Sequence, residues 1–170
     1  MSDFTPFPYL ATERLALRPL ELQDENEIFF LRSDERVLRF LQIPKAETIQ
    51  HARNYIDMIN TATRNDESIL WGINLKNDPI LIGTICLWNI AEDRLSAEIG
   101  YVLHPDFQGL GIMQEALVEV VNYGFNTMKL HSIEAGARHD NVPSIKLLEK
   151  NGFAFNRTDD DYFVYVRKAL

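Results

Sequence analysis

Between Ser96 and Ala116 the hydrophobic period of the chain changes, and that change limits what the sequence can fold into. Up to Leu103 the segment Ser-Ala-Glu-Ile-Gly-Tyr-Val-Leu carries β-branched and aromatic residues in the manner of a strand. His104–Gln108 is a short loop punctuated by Pro105. From Gly111 onward Met113, Ala116, Leu117, Val120, Val121, Gly124, Phe125 and Met128 recur on one face of an amphipathic helix. A strand thus passes through a glycine-bearing loop into a helix N-terminus. The first amides of a helix lack intrahelical partners and stand at the positive end of its dipole, so the junction suits an anion. Gly109 and Gly111 allow the backbone to approach a phosphate closely.

Two widespread phosphate motifs can be compared with this junction. A P-loop requires Gly-Lys-Ser/Thr, which occurs nowhere in the chain. A dinucleotide fingerprint requires a third glycine where Gln114 stands, although Glu134 has the spacing of a ribose-binding acid. A nucleotide-binding protein using Gly109, Gly111 and Glu134 is therefore a weaker reading. The antiparallel strands expected before the loop count against it.

With 170 residues, 46% of them hydrophobic, the chain is expected to form a single domain over 1–170. Pro6 and Pro8 suggest a loose arm over 1–11. The net charge of −8 argues against a nucleic-acid partner. No apolar run approaches the ~20 residues of a membrane span, and the N-terminal stretch lacks the charged and apolar regions of a signal peptide. The lone Cys86 excludes an internal disulfide and agrees with a reducing cytoplasm. Its place in an apolar strand marks it as a packed thiol, and the four histidines show no paired ligand spacing, so no metal is expected.

Along the chain, Thr12–Leu20 alternates like a half-buried strand with Leu15 and Leu17 inward. Glu21–Ser33 and Glu35–Leu41 read as helices, as does the stretch capped by Thr48 with Ile49, Ala52, Ile56 and Ile59 on one face. Ile69–Leu75, Ile80–Ile90 and Ser96–Leu103 are strands, followed by the central helix and a strand over His131–Ala137. Asn141 caps a helix that stops at Gly152, and Phe153–Arg157 and Tyr162–Arg167 form a closing hairpin. Strands in series with one crossover helix imply a mixed, mostly antiparallel α/β sheet of about seven strands with helices on both faces.

Gln108-x-x-Gly111-x-Met113, directly after Glu-Ile-Gly-Tyr-Val-Leu, resembles the acyl-CoA-binding motif of the GNAT superfamily of N-acetyltransferases, Gln/Arg-x-x-Gly-x-Gly/Ala. Met113 departs from that pattern in a way familiar in the Rim-type branch, which acetylates the N-termini of ribosomal proteins. Thr12-Glu13-Arg14-Leu15-x-Leu17-Arg18 resembles a frequent opening of the same branch, and the order of elements is that of the GNAT fold.

The resemblance implies acetyl-CoA as co-substrate and an amine acceptor, a protein or peptide N-terminus in the first instance. Polyamines, antibiotics and amino acids are acceptors of look-alike relatives. It implies Glu98 as the base that deprotonates the amine, and backbone amides around Val102 and Leu103 as oxyanion and pantetheine donors. Gln108, Gly109, Leu110, Gly111, Ile112 and Met113 would wrap the pyrophosphate, with Asn141 on the pantetheine arm and Lys150 or Arg138 to balance the phosphates. Leu148 stands where many members place a tyrosine acid. Ser144 or Tyr101 is then left to protonate the thiolate. A sensor that binds acyl-CoA without chemistry is the alternative, and the assembly expected is a monomer or homodimer.

Overall fold

Residues 3–170 are described by the structure, a computed structural model. The chain order is β1 (Leu10–Ala11), β2 (Leu15–Arg18), α1 (Glu25–Leu31), α2 (Glu35–Leu38), α3 (Ile49–Arg64), β3 (Ile69–Leu75), β4 (Gly83–Trp88) and β5 (Ser96–Leu103). Then follow α4 (Ile112–Asn126), β6 (Ser132–Arg138), α5 (Val142–Lys150), β7 (Ala154–Asp159) and β8 (Tyr162–Lys168). One sheet of order β1-β2-β3-β4-β5-β6-β8-β7 contains them all, antiparallel at every step except β5–β6. The mixed, mostly antiparallel α/β architecture expected from the sequence is present, with eight strands in place of about seven.

The sheet separates two apolar cores. On one face α4 buries Ala116, Leu117, Val120 and Val121 completely against Ile85, Leu87, Ile99 and Ile133. Burying each large aliphatic side chain contributes about 1.5–3 kcal/mol, so this face dominates the packing. On the other face α1 and α3 set Ile28, Leu31, Ala52 and Ile56 on Leu70 and Leu81. Thr48 caps α3 by accepting from the His51 amide at 3.3 Å, as its position suggested.

The arm and the first helix differ from expectation. Of the supposedly loose arm, Met1 and Ser2 lie outside the described residues, and the remainder is docked. Phe4 is buried, and the Pro8 carbonyl accepts from the Trp71 indole at 2.7 Å. Leu10 and Ala11 then form β1 against Leu17 and Ala16. The prolines exclude helix there, but they do not prevent an extended edge strand. The helix expected over Glu21–Ser33 begins only at Glu25, after a 3-10 turn over Leu22–Asp24. Asp24 is drawn inward instead, accepting from both terminal nitrogens of Arg18 at 2.8 and 2.9 Å and from the Glu21 amide at 2.8 Å. Arg18, placed by alternation on the outer side of β2, thus finds a buried partner.

The relation of β5 to β6 positions everything that follows. These strands are parallel and pair only through Ser96, Ala97 and Glu98, opposite Ser132, Ile133 and Glu134. Beyond Glu98 they diverge: β6 remains paired with β8 up to Arg138, and β5 remains paired with β4 up to Leu103. The Ser96 carbonyl bonds Ala91 and the His104 amide bonds Ile82, whereas the Leu95 carbonyl faces His131. Strand alternation therefore turns the backbone groups of Ile99, Tyr101 and Leu103 toward the gap and those of Gly100 and Val102 toward β4.

Candidate active site

A cavity of ≈ 430 Å³ occupies the gap, bounded by the end of β5, the loop before α4, and α5. The β5 wall is Tyr101, Val102 and Leu103. The alternation above assigns the amide donors to Tyr101 and Leu103, while the Val102 amide faces β4. Val102 is left to contribute its side chain.

The floor is the strand–helix junction. Gln108, Gly109, Gly111, Ile112 and Met113 all line the cavity. Gln108 is fixed by its side-chain amide, which donates to the Leu103 carbonyl at 3.0 Å. Gly109 and Gly111 take the left-handed conformation, φ 77° and 76°, where a side chain is strained. No atom lies within 4 Å of the point where a Cβ on Gly109 would stand, so that surface is open for a ligand. Helix α4 starts at Gly111, whose carbonyl accepts from the Glu115 amide at 3.1 Å. The amides of Ile112, Met113 and Gln114 precede that first intrahelical bond and need an external acceptor. Their side chains do different work, since Ile112 and Met113 are packed in the core. Leu110 does not reach the cavity, and its side chain points to solvent.

Helix α5 supplies the opposite wall. Asn141 caps it, its side-chain oxygen accepting from the Ser144 amide at 3.3 Å. Ser144 Oγ meets the Tyr101 hydroxyl at 2.6 Å across the cavity. Burial pushes the Tyr101 phenol up to about 12, the bond to Ser144 opposing that rise in part. The pair therefore holds a hydroxyl proton throughout the neutral range. Leu148, with no proton to give, is fully buried. Lys150 lines the rim together with Lys146, one turn earlier on the same helix. Arg138, another candidate cation, is occupied by Asp140 at 2.9 Å.

Glu98 is not part of the cavity wall. It stands where β5 and β6 begin to separate, accepts from the Asn89 side chain at 2.9 Å, and lies opposite Glu134. Alternation places it on the face of β5 that carries Gly100 and Val102, away from α4. Glu134 is held by Arg157 at 3.1 and 3.2 Å, far along the strand from the glycine loop, which removes it as a ribose ligand for that loop. Burial pushes the Cys86 thiol up to about 12, so it is a poor nucleophile. Among the described residues no cluster of three or more His, Cys, Asp or Glu could hold a metal, and no helix is long and apolar enough to cross a membrane.

Two features escaped the sequence reading. Gln114 and Asn151 exchange side-chain amide bonds of 2.7 and 2.6 Å, and Asn151 also donates to the Leu147 carbonyl, locking α4 to α5 beside the cavity. Arg14 donates to the Leu110 carbonyl at 3.0 Å and pairs with Glu115 at 2.8 Å. Residues this distant in sequence give no local signal of their contact.

Residues 14–154 match the family model described as an acetyltransferase (GNAT) domain. An uncharacterised N-acetyltransferase of Bacillus subtilis (strain 168), YoaA, is 36% identical over 147 residues, which are 86% of this chain and 83% of that protein. Among solved structures, Mycobacterium smegmatis RimJ in complex with CoA-disulfide superposes with TM-score 0.80 at 21% identity, over 91% of this chain and 82% of its own. The ribosomal-protein-S5-alanine acetyltransferase from Vibrio fischeri gives 0.83 at 20% identity, over 95% and 96%. The likeness to these two Rim-type proteins is one of fold. The divergent parallel strands and the glycine-bearing helix start thus belong to a known architecture, and the chain is a member of the GNAT family of N-acetyltransferases.

Proposed function

We propose that the chain transfers the acetyl group of acetyl-CoA to the α-amine of a peptide or protein N-terminus, by direct attack while both substrates are bound. The opening between β5 and β6 carries this reading, because it places free strand amides, an anion cradle and a hydroxyl pair around one cavity. The cavity suits the group chemically: two left-handed glycines expose helix-start amides toward phosphate, and Lys146 and Lys150 stand at the rim.

Acetyl-CoA, when bound, supplies a thioester whose carbonyl carbon accepts the amine and whose carbon–sulfur bond then breaks. The Tyr101 and Leu103 amides are placed to receive the pantetheine arm and the charge developing on the carbonyl oxygen. Glu98, which stands outside the cavity wall, takes through water the proton that the attacking nitrogen loses, the role the family resemblance implies. An α-amine with a pKa near 8 is roughly a tenth neutral at pH 7, so it demands less of that base than a lysine would. Tyr101 gives its proton toward the departing sulfur and recovers it through Ser144, the step for which Leu148 is unsuited. This hydroxyl pair also counts against a non-catalytic acyl-CoA sensor.

The N-terminal acceptor rests on the Rim-type resemblance and on the position of Glu98. On the same face of the sheet the exposed Trp88 of β4 stands opposite it in the ladder. The test compares Glu98→Gln with the unaltered protein, using peptide α-amines, lysine side chains and polyamines as acceptors. Turnover on α-amines should fall about 100-fold or more, the typical share of a general base, with acetyl-CoA affinity retained. An unchanged rate across pH would remove Glu98 as base, and a preference for polyamines would overturn the acceptor.

A further inference from the structure

The mechanism leaves unexplained a cation that touches the anion cradle from behind. Arg14, just before β2, reaches 96 residues along the chain, and its Nη1 donates to the Leu110 carbonyl at 3.0 Å. Its Nε donates to Glu115 Oε2 at 2.8 Å, and its own amide donates to Glu115 Oε1 at 3.0 Å. Its Nη2 lies 3.4 Å from the point where a Cβ on Gly111 would stand. Leu110 and Arg14 are both outside the cavity wall, whereas Gly111 is part of it.

In a planar trans peptide the carbonyl and the following N–H point in opposite directions. A Leu110 carbonyl held outward by Arg14 therefore sends the Gly111 N–H the other way, toward the cavity. Glycine on either side of Leu110 makes rotation of that peptide inexpensive, so an unclamped loop would sample orientations that present a carbonyl to a phosphate. The same guanidinium offsets Glu115, whose carboxylate sits in the first turn of α4 close to where an anion would bind.

We infer that Arg14 is a positioning residue for the cradle: it clamps the Leu110–Gly111 peptide so that the Gly111 amide faces the pyrophosphate of coenzyme A. The inference rests on the proposed acetyl-CoA site and adds a determinant outside the cavity. Lysine cannot replace it fully, because a single ammonium lacks the planar fork that meets Glu115 and the Leu110 carbonyl together.

The test measures coenzyme A binding by calorimetry, and binding of S-acetylpantetheine, which has no pyrophosphate, by ligand-observed NMR. Each is applied to the unaltered protein, Arg14→Gln and Arg14→Lys, with thermal unfolding followed in parallel. Arg14→Gln should weaken coenzyme A by about tenfold or more, the scale of one charge-assisted hydrogen bond, and leave S-acetylpantetheine unchanged. Arg14→Lys should fall between. Coenzyme A affinity unchanged in Arg14→Gln would overturn the inference, as would an equal loss of both ligands. If the unaltered protein bound no coenzyme A, the acetyl-CoA site itself would fall, and the clamp with it.

Discussion

The hydroxyl of Tyr101 on β5 and that of Ser144 on α5 meet at 2.6 Å across the opening between the two parallel strands. Each comes from an element that bounds the cavity, and Tyr101 is largely removed from water. Its phenol, pushed up to about 12 by that burial, remains a proton donor at any pH at which the enzyme would work.

Replacing this donor should separate chemistry from binding. Tyr101→Phe keeps the ring and removes the proton, so turnover should fall by about 100-fold, the low end of general acid catalysis, with acetyl-CoA affinity little altered. Ser144→Ala should cost less, since it removes only the partner that returns the proton. Steady-state thiol release with a peptide acceptor reads both, and full activity in the two variants would exclude the pair as the acid.

The cradle makes a conformational prediction. Gly111 has φ 76°, and a Cβ there would stand 3.4 Å from Arg14 Nη2, whereas the corresponding point at Gly109 is open. Gly111→Ala and Gly109→Ala should each destabilise the fold by about 1–2 kcal/mol, the left-handed penalty of an L residue. Coenzyme A affinity should fall in both, because relaxation of the strain turns loop amides away from the ligand. Denaturant titration and calorimetry together would show this. Retained affinity in both variants would mean that the loop does not hold the phosphates.

How much of this is visible in the sequence depends on the range of the interaction. The strand ending at Leu103 and the helix after Gly111 follow local rules, and the structure places them as the pattern implied, whereas the left-handed conformation of Gly109 and Gly111 is visible only in the structure. Asn141 and Thr48 cap helices for the same local reason. The docked arm depends instead on the Trp71 indole reaching the Pro8 carbonyl, a contact across 63 residues. Alternation assigned Arg14 and Arg18 to one side of a strand without revealing that one clamps a loop and the other draws Asp24 inward. The division of donors along β5 likewise required the register with β4, because periodicity alone does not say which amides a neighbouring strand uses.

Alkaline pH should weaken the fold. The Cys86 thiol and the Tyr101 phenol are raised by burial from ordinary values of 9.0 and 10.0 to about 12 each. A folded state that favours the protonated forms keeps their full contribution below the unfolded values. It loses that contribution as the pH rises from about 9 toward 12, because the unfolded chain releases the protons first. Thermal unfolding should therefore be insensitive to these two groups between pH 7 and about 8.5 and fall steeply above 9. Cys86→Ala should flatten the first part of that decline. An equal slope in the variant would show that the thiol ionises freely in the folded protein.

The opening between β5 and β6, closed at one end by the glycine-bearing start of α4, is the proposed acetyl-CoA site. Calorimetric titration of the protein with acetyl-CoA, beside NAD, tests it most directly. One site per chain with micromolar-range affinity, about −8 kcal/mol, is expected, with no heat from NAD. Absence of acetyl-CoA binding, or binding of NAD in its place, would contradict it.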